Sequence, residues 1–554
     1  MRRAALVALA ALLAGCNWQP AAPEPAARPL VPAAPATPSE TVATSSTFRY
    51  AIQEPSAIVP PTATEPNGLA VVDALFDSLT AYDASLRVVP AAAASWIATA
   101  SDEWTFTLRE GGTFHDGSPV TAADFKFAWE QAVRLGLAGY HLRDVQGYDA
   151  LRAKKAAELA GVTAVDDRTL RVRLIGPRAD FPAVVAHPAL GPVPRTVWQA
   201  DRAGFLQRPV GNGPFRMDGT WAHNEFIRVA RFKGRQDGSA PTVVDEVLFP
   251  ISDPDTAYLA FQQGRRDFSP LPAGALAEAS RQYPASSDDG YHGPGVLLGP
   301  TPVLYFLGFN VTQPPFDDVE VRRAVSMAID REALRDAILE GNVSVARATV
   351  PPPIPGARDN ACGACERDPA EARRIFAERG ITEVELWLNR GGGHEQVAQQ
   401  IGQDLAAVGV GLRLRSEPPP PDGSFGDYLD ILSSGEAGMF RFGWSAEYPT
   451  MDAALSPLFD SRSTPASGGR NFMRYANAEV DGLIDRARGT SDELTRHRLY
   501  QQAEDLAVGR DQAIIPLFVY HHRFVAAARV ENLYLSPFGL VNLPEISLRP
   551  AQQG

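Results

Sequence analysis

The sequence predicts an α/β protein of two or three lobes, and three observations predict it. At 554 residues the chain is too long for a single hydrophobic core. Its composition, 45% hydrophobic and 21% charged, is that of an ordinary globular protein. Period-2 alternation and helical periodicity follow one another along the chain, most densely between Trp104 and Trp129.

Residues 1–15 read as an export signal. Arg2 and Arg3 give a positive end, and the apolar run from Ala4 to Ala14 is shorter than the roughly 20 residues needed to span a bilayer. Leu13-Ala14-Gly15-Cys16 resembles a bacterial lipobox, which implies cleavage before Cys16 and lipidation of its thiol, hence a membrane anchor. Residues 16–45 are then the lipidated cysteine and a tether, because Asn17 to Ser45 is dominated by Ala and Pro and has few large apolar side chains. Fully extended, the tether would reach about 90 Å at roughly 3.1 Å per residue. The formal charge is −13, or −15 once Arg2 and Arg3 are removed. Such an acidic body argues against nucleic acid, which wants concentrated Lys and Arg.

Thr47 to Ile52 reads as a strand, followed by a Pro-rich loop through Pro66 and a short apolar helix over 71–79. Trp104, Phe106 and Leu108 alternate with Thr105, Thr107 and Arg109, a strand with one buried face. Gly111-Gly112 and Asp116-Gly117 are turn signals. Thr121 and Asp124 form a capping box, with Val120 and Phe125 placed for a hydrophobic staple. Phe125, Ala128, Trp129, Ala132 and Val133 then share one helical face. His115 beside Asp116 has the chemistry of an acid and base pair but the setting of a turn. Gly211-Asn212-Gly213 does not open a phosphate loop, because Pro214 and the strand-like Phe215-Arg216-Met217 follow it instead of a helix.

A second lobe begins near Pro302, with the apolar strand Leu304 to Asn310 and a helix containing Val321, Val325 and Ala328 on one side. Glu383 to Leu388 is a strand, Val397 to Val408 an amphipathic helix and Leu412 to Leu414 another strand. Ile514 to Phe518 is a strand expected to return the chain to the first lobe. Cys362 and Cys365 form a single CxxC. It lacks the second ligand pair of structural zinc and the βαβ setting of an active thiol pair, so in an exported chain a loop disulfide is expected. His394-Glu395 opens no HExxH, since Ala398 stands where the second His should be. No metal and no cofactor is expected.

Phe114-His115-Asp116-Gly117, Pro119-Val120-Thr121-Ala122, Asp124 and Trp129 closely resemble the signature of the family 5 extracytoplasmic solute-binding proteins. These are the dipeptide-, oligopeptide- and nickel-binding receptors of ABC importers. Val321-Arg322-Arg323-Ala324-Val325 through Ala328-Ile329-Asp330-Arg331 resembles the family's second strong motif, and Asp253 to Phe268 and Asn471 to Ile484 add to the match. Val210 to Phe215 resembles its glycine-rich crossing segment, with Asn212 in place of the usual Thr. The resemblance spans about Thr47 to Pro550. It implies two α/β lobes of the periplasmic-binding-protein type II (cluster C) fold. The expected divisions are a first lobe over 46–300 with an extra subdomain at about 84–190, a second lobe over 301–515, and a C-terminal return over 516–554.

The same resemblance implies a ligand site. Gly443 to Tyr448 is similar to the segment in which oligopeptide receptors hold an Asp against the peptide's N-terminus, and Glu447 stands at that position. Trp444 and Tyr448 are candidates to line side-chain pockets, with a core Trp444 as the alternative reading. Arg390 lies in the stretch where dipeptide receptors carry a carboxylate-binding Arg, with a surface Arg as the alternative reading; Tyr140 lies where a pocket Tyr occurs. The implied function is capture of short peptides by a monomeric receptor at the extracytoplasmic face of the membrane, for delivery to a permease. A metal chelate, an oligosaccharide or an opine is the alternative cargo, with the nine His reading as scattered along the chain. A peptide-processing enzyme is disfavoured, for there is no GxSxG elbow, paired zinc motif or Walker loop.

Overall fold

The computed structural model describes residues 46–549 apart from 236–237, 239–241, 288, 417–423 and 468. Cys16 and the Ala/Pro-rich tether lie outside the described residues.

The segment from Trp104 to Trp129 folds as its signals dictate. Strand Glu103–Leu108 buries Phe106 and Leu108, and the helix Ala122–Leu135 begins at Thr121, whose backbone N–H donates to Asp124 Oδ2 at 2.9 Å. Phe125, Ala128, Trp129, Ala132 and Val133 are all buried, and Gly136 ends the helix in the left-handed region. His115 and Asp116 are turn residues. Asp116 Oδ1 accepts from Ser118 N at 2.9 Å, and His115 Nδ1 accepts from Gly211 N at 3.0 Å. Gly211 sits where a Cβ would lie 1.9 Å from the Leu75 carbonyl oxygen, so only glycine permits this approach.

The first helix runs Pro66–Leu75, earlier in the chain than the expected 71–79. Pro66 occupies the first turn, where its missing N–H costs nothing, and Glu65 accepts from Asn67 N and Gly68 N at 2.7 Å each.

Three sheets of three or four strands build the first lobe. Strands Thr47–Arg49, Glu246–Pro250, Phe226–Arg231 and Phe215–Met217 form one, in that order. A second, antiparallel sheet joins Ala93–Ala100, Glu103–Leu108, Thr169–Arg173 and Val162–Ala164, within the expected subdomain. The third places Phe524–Ala526 between Phe268–Pro270 and Gly295–Leu297. The buried carboxylate of Asp267 fastens this lobe: it accepts from Arg49 Nε at 2.9 Å and from Arg529 Nε at 2.7 Å.

The second lobe is built on a six-stranded sheet in the order Val343–Val345, Ile514–His521, Pro300–Phe309, Met439–Ser445, Glu383–Leu388 and Gly411–Ser416. Both faces are covered. Tyr305, Leu307 and Phe309 pack on one side with Val321, Val325, Ile401 and Leu405, whereas Leu304 and Phe306 on the other join the core containing Tyr428, Leu455 and Tyr500. Ile514–His521 pairs with Pro300–Phe309 and with Val343–Val345, so it belongs to this sheet, and the chain rejoins the first lobe only at Phe524. The return expected at 516 thus moves a whole strand later. An apolar strand buried on both faces does not reveal by its pattern which sheet it enters. The two crossings run side by side, with His522 N donating to Gly299 O at 2.9 Å.

Arg322 and Arg331, conspicuous in the second motif, are buried and structural. Arg322 donates to the carbonyls of Phe316 and Gln512, and Arg331 to those of Ser326, Cys365 and Pro516. Cys362 and Cys365 are joined by a disulfide in the loop beside Arg331.

Candidate ligand-binding site

Strand Met439–Ser445 ends in a tight turn, Ala446 to Thr450, before the helix Met451–Phe459. Ala446 N donates to Pro302 O, and the Thr450 hydroxyl caps the helix by accepting from Ala453 N. This fixes Glu447 just beyond the carboxyl end of a central strand, the edge at which open α/β sheets bind ligands. From the first lobe comes Tyr140, on the 3-10 turn Ala138–Leu142. Gly139 makes that placement possible, since a Cβ there would lie 2.5 Å from the Val133 Cα at the end of the preceding helix.

The Tyr140 hydroxyl and the Glu447 carboxylate act on each other's titration across the two lobes. Burial pushes the Glu447 carboxyl up to about 7, while the Tyr140 hydroxyl and the Arg143 charge oppose that rise. Such a carboxylate lacks one full positive partner. Beside it lie His141 and His187, their ring centroids 4.1 Å apart, so two of the nine His meet at this corner. The sequence reading of scattered His is corrected by the fold, which brings the turn at 138–142 against the one at 188–190. Burial holds both rings below the ordinary histidine range, His187 at about 4.

The remaining expected residues divide. Trp444 is half-buried and its indole N–H donates to Ala453 O at 2.7 Å, which pins it to the helix that follows. Tyr448 is 5% exposed and accepts from Arg178 Nη2 at 2.5 Å, so its hydroxyl is committed to a bridge between the lobes and not to an open pocket. Arg390 is exposed in the glycine loop after Glu383–Leu388, and the positive charge acting on Glu447 is Arg143 instead.

Arg441 was not anticipated. It is 4% exposed, lies 4.7 Å over the Tyr305 ring and donates to Asn389 Oδ1 at 2.8 Å, yet among the described residues no carboxylate pairs with it and its Nε has no partner. His394, buried at the start of helix His394–Ala407, stands against the same Tyr305 ring. A buried guanidinium with no anion is costly, and a helix N-terminus adds partial positive charge nearby. The signal available in the sequence was an Arg interrupting the apolar strand Met439 to Trp444.

Beneath the turn, Asp452 is fully buried and joins the lobes. Arg178 of the first lobe donates to it at 2.9 Å and Arg488 of the second at 2.7 Å, with Tyr500 and Ser456 hydroxyls at 2.9 and 2.6 Å. Ala179 N also donates to Arg488 O at 2.8 Å. Burial alone would raise the Asp452 pKa, but Arg488 and Arg178 hold it well below the usual carboxylate range.

Residues 87–465 match the family described as bacterial extracellular solute-binding proteins, family 5 Middle. The chain belongs to that family. It is a transport receptor and not an enzyme, and its place is extracytoplasmic. Among the described residues no helix is long and apolar enough to cross a membrane. The family 5 chain is 28% identical over 513 residues to the dipeptide-binding protein DppE of Bacillus subtilis, covering 88% of this chain and 89% of that one. It is 29% identical over 460 residues to the glutathione-binding protein GsiB of Salmonella typhimurium, covering 81% and 84%. The solved structure of the periplasmic murein tripeptide-binding protein MppA, in its unliganded open form, superposes with a TM-score of 0.78 at 23% identity, over 91% of this chain and 98% of that one. That likeness establishes the two-lobed fold.

Proposed function

We propose that this protein is a lipid-anchored receptor that captures short peptides between its lobes as zwitterions and hands them to an ABC permease. The observation that carries the reading is the pair of incomplete charges on one strand and its following turn: Glu447, short of a cation, and Arg441, without an anion. A peptide's ammonium completes the first and its carboxylate the second, each through charge-assisted hydrogen bonds. The strand from Arg441 to Ser445 covers about 13 Å at roughly 3.3 Å per residue, a span suited to extended peptides of about three or four residues. Relatives named for dipeptide, glutathione and murein tripeptide binding support the same cargo class. The lobes close around the cargo, and the Cys16 anchor with its tether keeps the receptor near the permease as a monomer.

Native mass spectrometry of the protein purified without denaturation, with released ligand sequenced, tests the reading. Short peptides should be found, and Glu447→Gln and Arg441→Met should each weaken their binding at least about 30-fold, the scale of roughly 2 kcal/mol lost when a buried charge loses its partner. Recovery of a metal chelate, an oligosaccharide or an opine would move the cargo to another class, and unchanged peptide affinity in both variants would remove these residues from the site.

A further inference from the structure

The corner occupied by Glu447 holds more than an ammonium site requires. His141 and His187 come from the first lobe and Glu447 from the second, and one ligand atom of each lies within 4.8 Å of the other two. His141 is 6% exposed, and its Nδ1 has no hydrogen-bond partner. A buried polar atom left so costs roughly 1–3 kcal/mol, which a ligand aimed at that nitrogen would recover. Tyr140, on the same first-lobe turn as His141, also bears on the Glu447 carboxyl.

We propose that, when no peptide ammonium occupies Glu447, His141, His187 and Glu447 hold one divalent first-row transition-metal ion between the lobes, with its fourth position open to water. Two imidazoles and a carboxylate suit Zn²⁺, Ni²⁺ or Cu²⁺, whereas Ca²⁺ and Mg²⁺ call for an all-oxygen set. Three protein ligands with an open position are the arrangement of metal sites that exchange a small ligand. Around a tetrahedral ion with bonds of about 2.1 Å the donors stand about 3.4 Å apart, so the ion draws this trio together by about an ångström. Ala189 N lies 3.2 Å from His187 Nδ1, a long bond that the ring gives up or turns away from when it ligates. Because the ligands belong to both lobes, the ion binds the closed arrangement in preference to the open one and shifts the population toward it.

The test uses the full chain, stripped with chelator and dialysed, and the metal alone. Calorimetric titration with NiCl₂ and with ZnCl₂ should show saturable one-to-one binding, weakened at least about 30-fold in His141→Gln and in His187→Gln. CoCl₂ added to the unsubstituted protein should give the visible absorption bands of a four-coordinate ion, a readout that needs no variant to fold. No saturable heat and no cobalt bands would overturn the proposal, as would undiminished binding in either variant. Cargo that survives purification is first removed by unfolding the protein in denaturant and refolding it, and no peptide is added in any of these measurements, so failure of the peptide reading leaves their outcome untouched.

Discussion

Two fully buried aspartates each hold two arginines, and they do different work. Asp267 binds Arg49 and Arg529, all within the first lobe, and so ties the strand Thr47–Arg49 and the C-terminal segment to the strand Phe268–Pro270. Asp452 binds Arg488 of its own lobe and Arg178 of the other. The chemistry is the same, but one cluster is intact whenever the first lobe is folded, while the other is complete only when the lobes meet. A buried ion pair is thus a fastening or a latch according to where the chain places its partners.

The largest effect is expected at the fastening. Asp267→Asn should destabilise the protein by about 3–5 kcal/mol, since two half-buried guanidinium groups lose the fully buried anion they share. Chemical denaturation measures this, and a loss under about 1 kcal/mol would dissolve the distinction. Burial raises the Asp267 pKa, but Arg49 and Arg529 bring it below its ordinary value, so its contribution is present above about pH 4 and is lost as pH falls further through the folded value.

At the latch, Arg178→Met should act on closure more than on folding. Asp144 and Asp180, the other acids beside Arg178, belong to the first lobe, so only the contacts to Asp452 and Tyr448 cross between the lobes. We expect a larger radius of gyration for the ligand-free variant in small-angle scattering and cargo affinity weakened about tenfold, with the unfolding midpoint little changed. A variant that unfolds as readily as Asp267→Asn would show that Asp452 is a second fastening.

A weaker tie within the first lobe should respond to milder acid. Burial lowers the His115 pKa to about 4, and its neutral Nδ1 accepts from Gly211 N. The unfolded chain binds the extra proton between about pH 6.5 and 4, so stability should fall by about 1–3 kcal/mol as pH drops through that window. His115→Gln should remove that share of the fall and leave the shares of His187, His521 and His522, which burial also holds at about 4, and the Asp267 effect below them. Smallest of all, Arg390→Ala should change stability by less than about 0.5 kcal/mol, because its side chain is exposed in a loop. A larger loss in melting experiments would give that loop a structural role.

Local signals were legible before the fold was known. The capping box at Thr121 and the strand Glu383–Leu388 stand where the sequence places them, because their causes lie within a few residues. Residues whose meaning depends on distant partners were not. Arg178 meets Asp452 some 270 residues away, and Arg441 reads as one charge in an apolar strand until Tyr305 and Asn389 enclose it. Glu447 and Tyr140 were reached through family likeness, whereas the two His beside them were hidden by their separation along the chain.

The strand Phe524–Ala526 completes the sheet between Phe268–Pro270 and Gly295–Leu297, and Arg529 follows it to close on Asp267. On the ribosome, the part of the protein made first must therefore wait for the part made last. The whole second lobe, residues 300–521, is threaded into a gap in the first, and a nascent chain stalled before Phe524 leaves two strand edges unpaired and the buried Asp267 with one of its two arginines. Translation that stops short by some thirty residues should yield not a shortened receptor but a substrate for proteases.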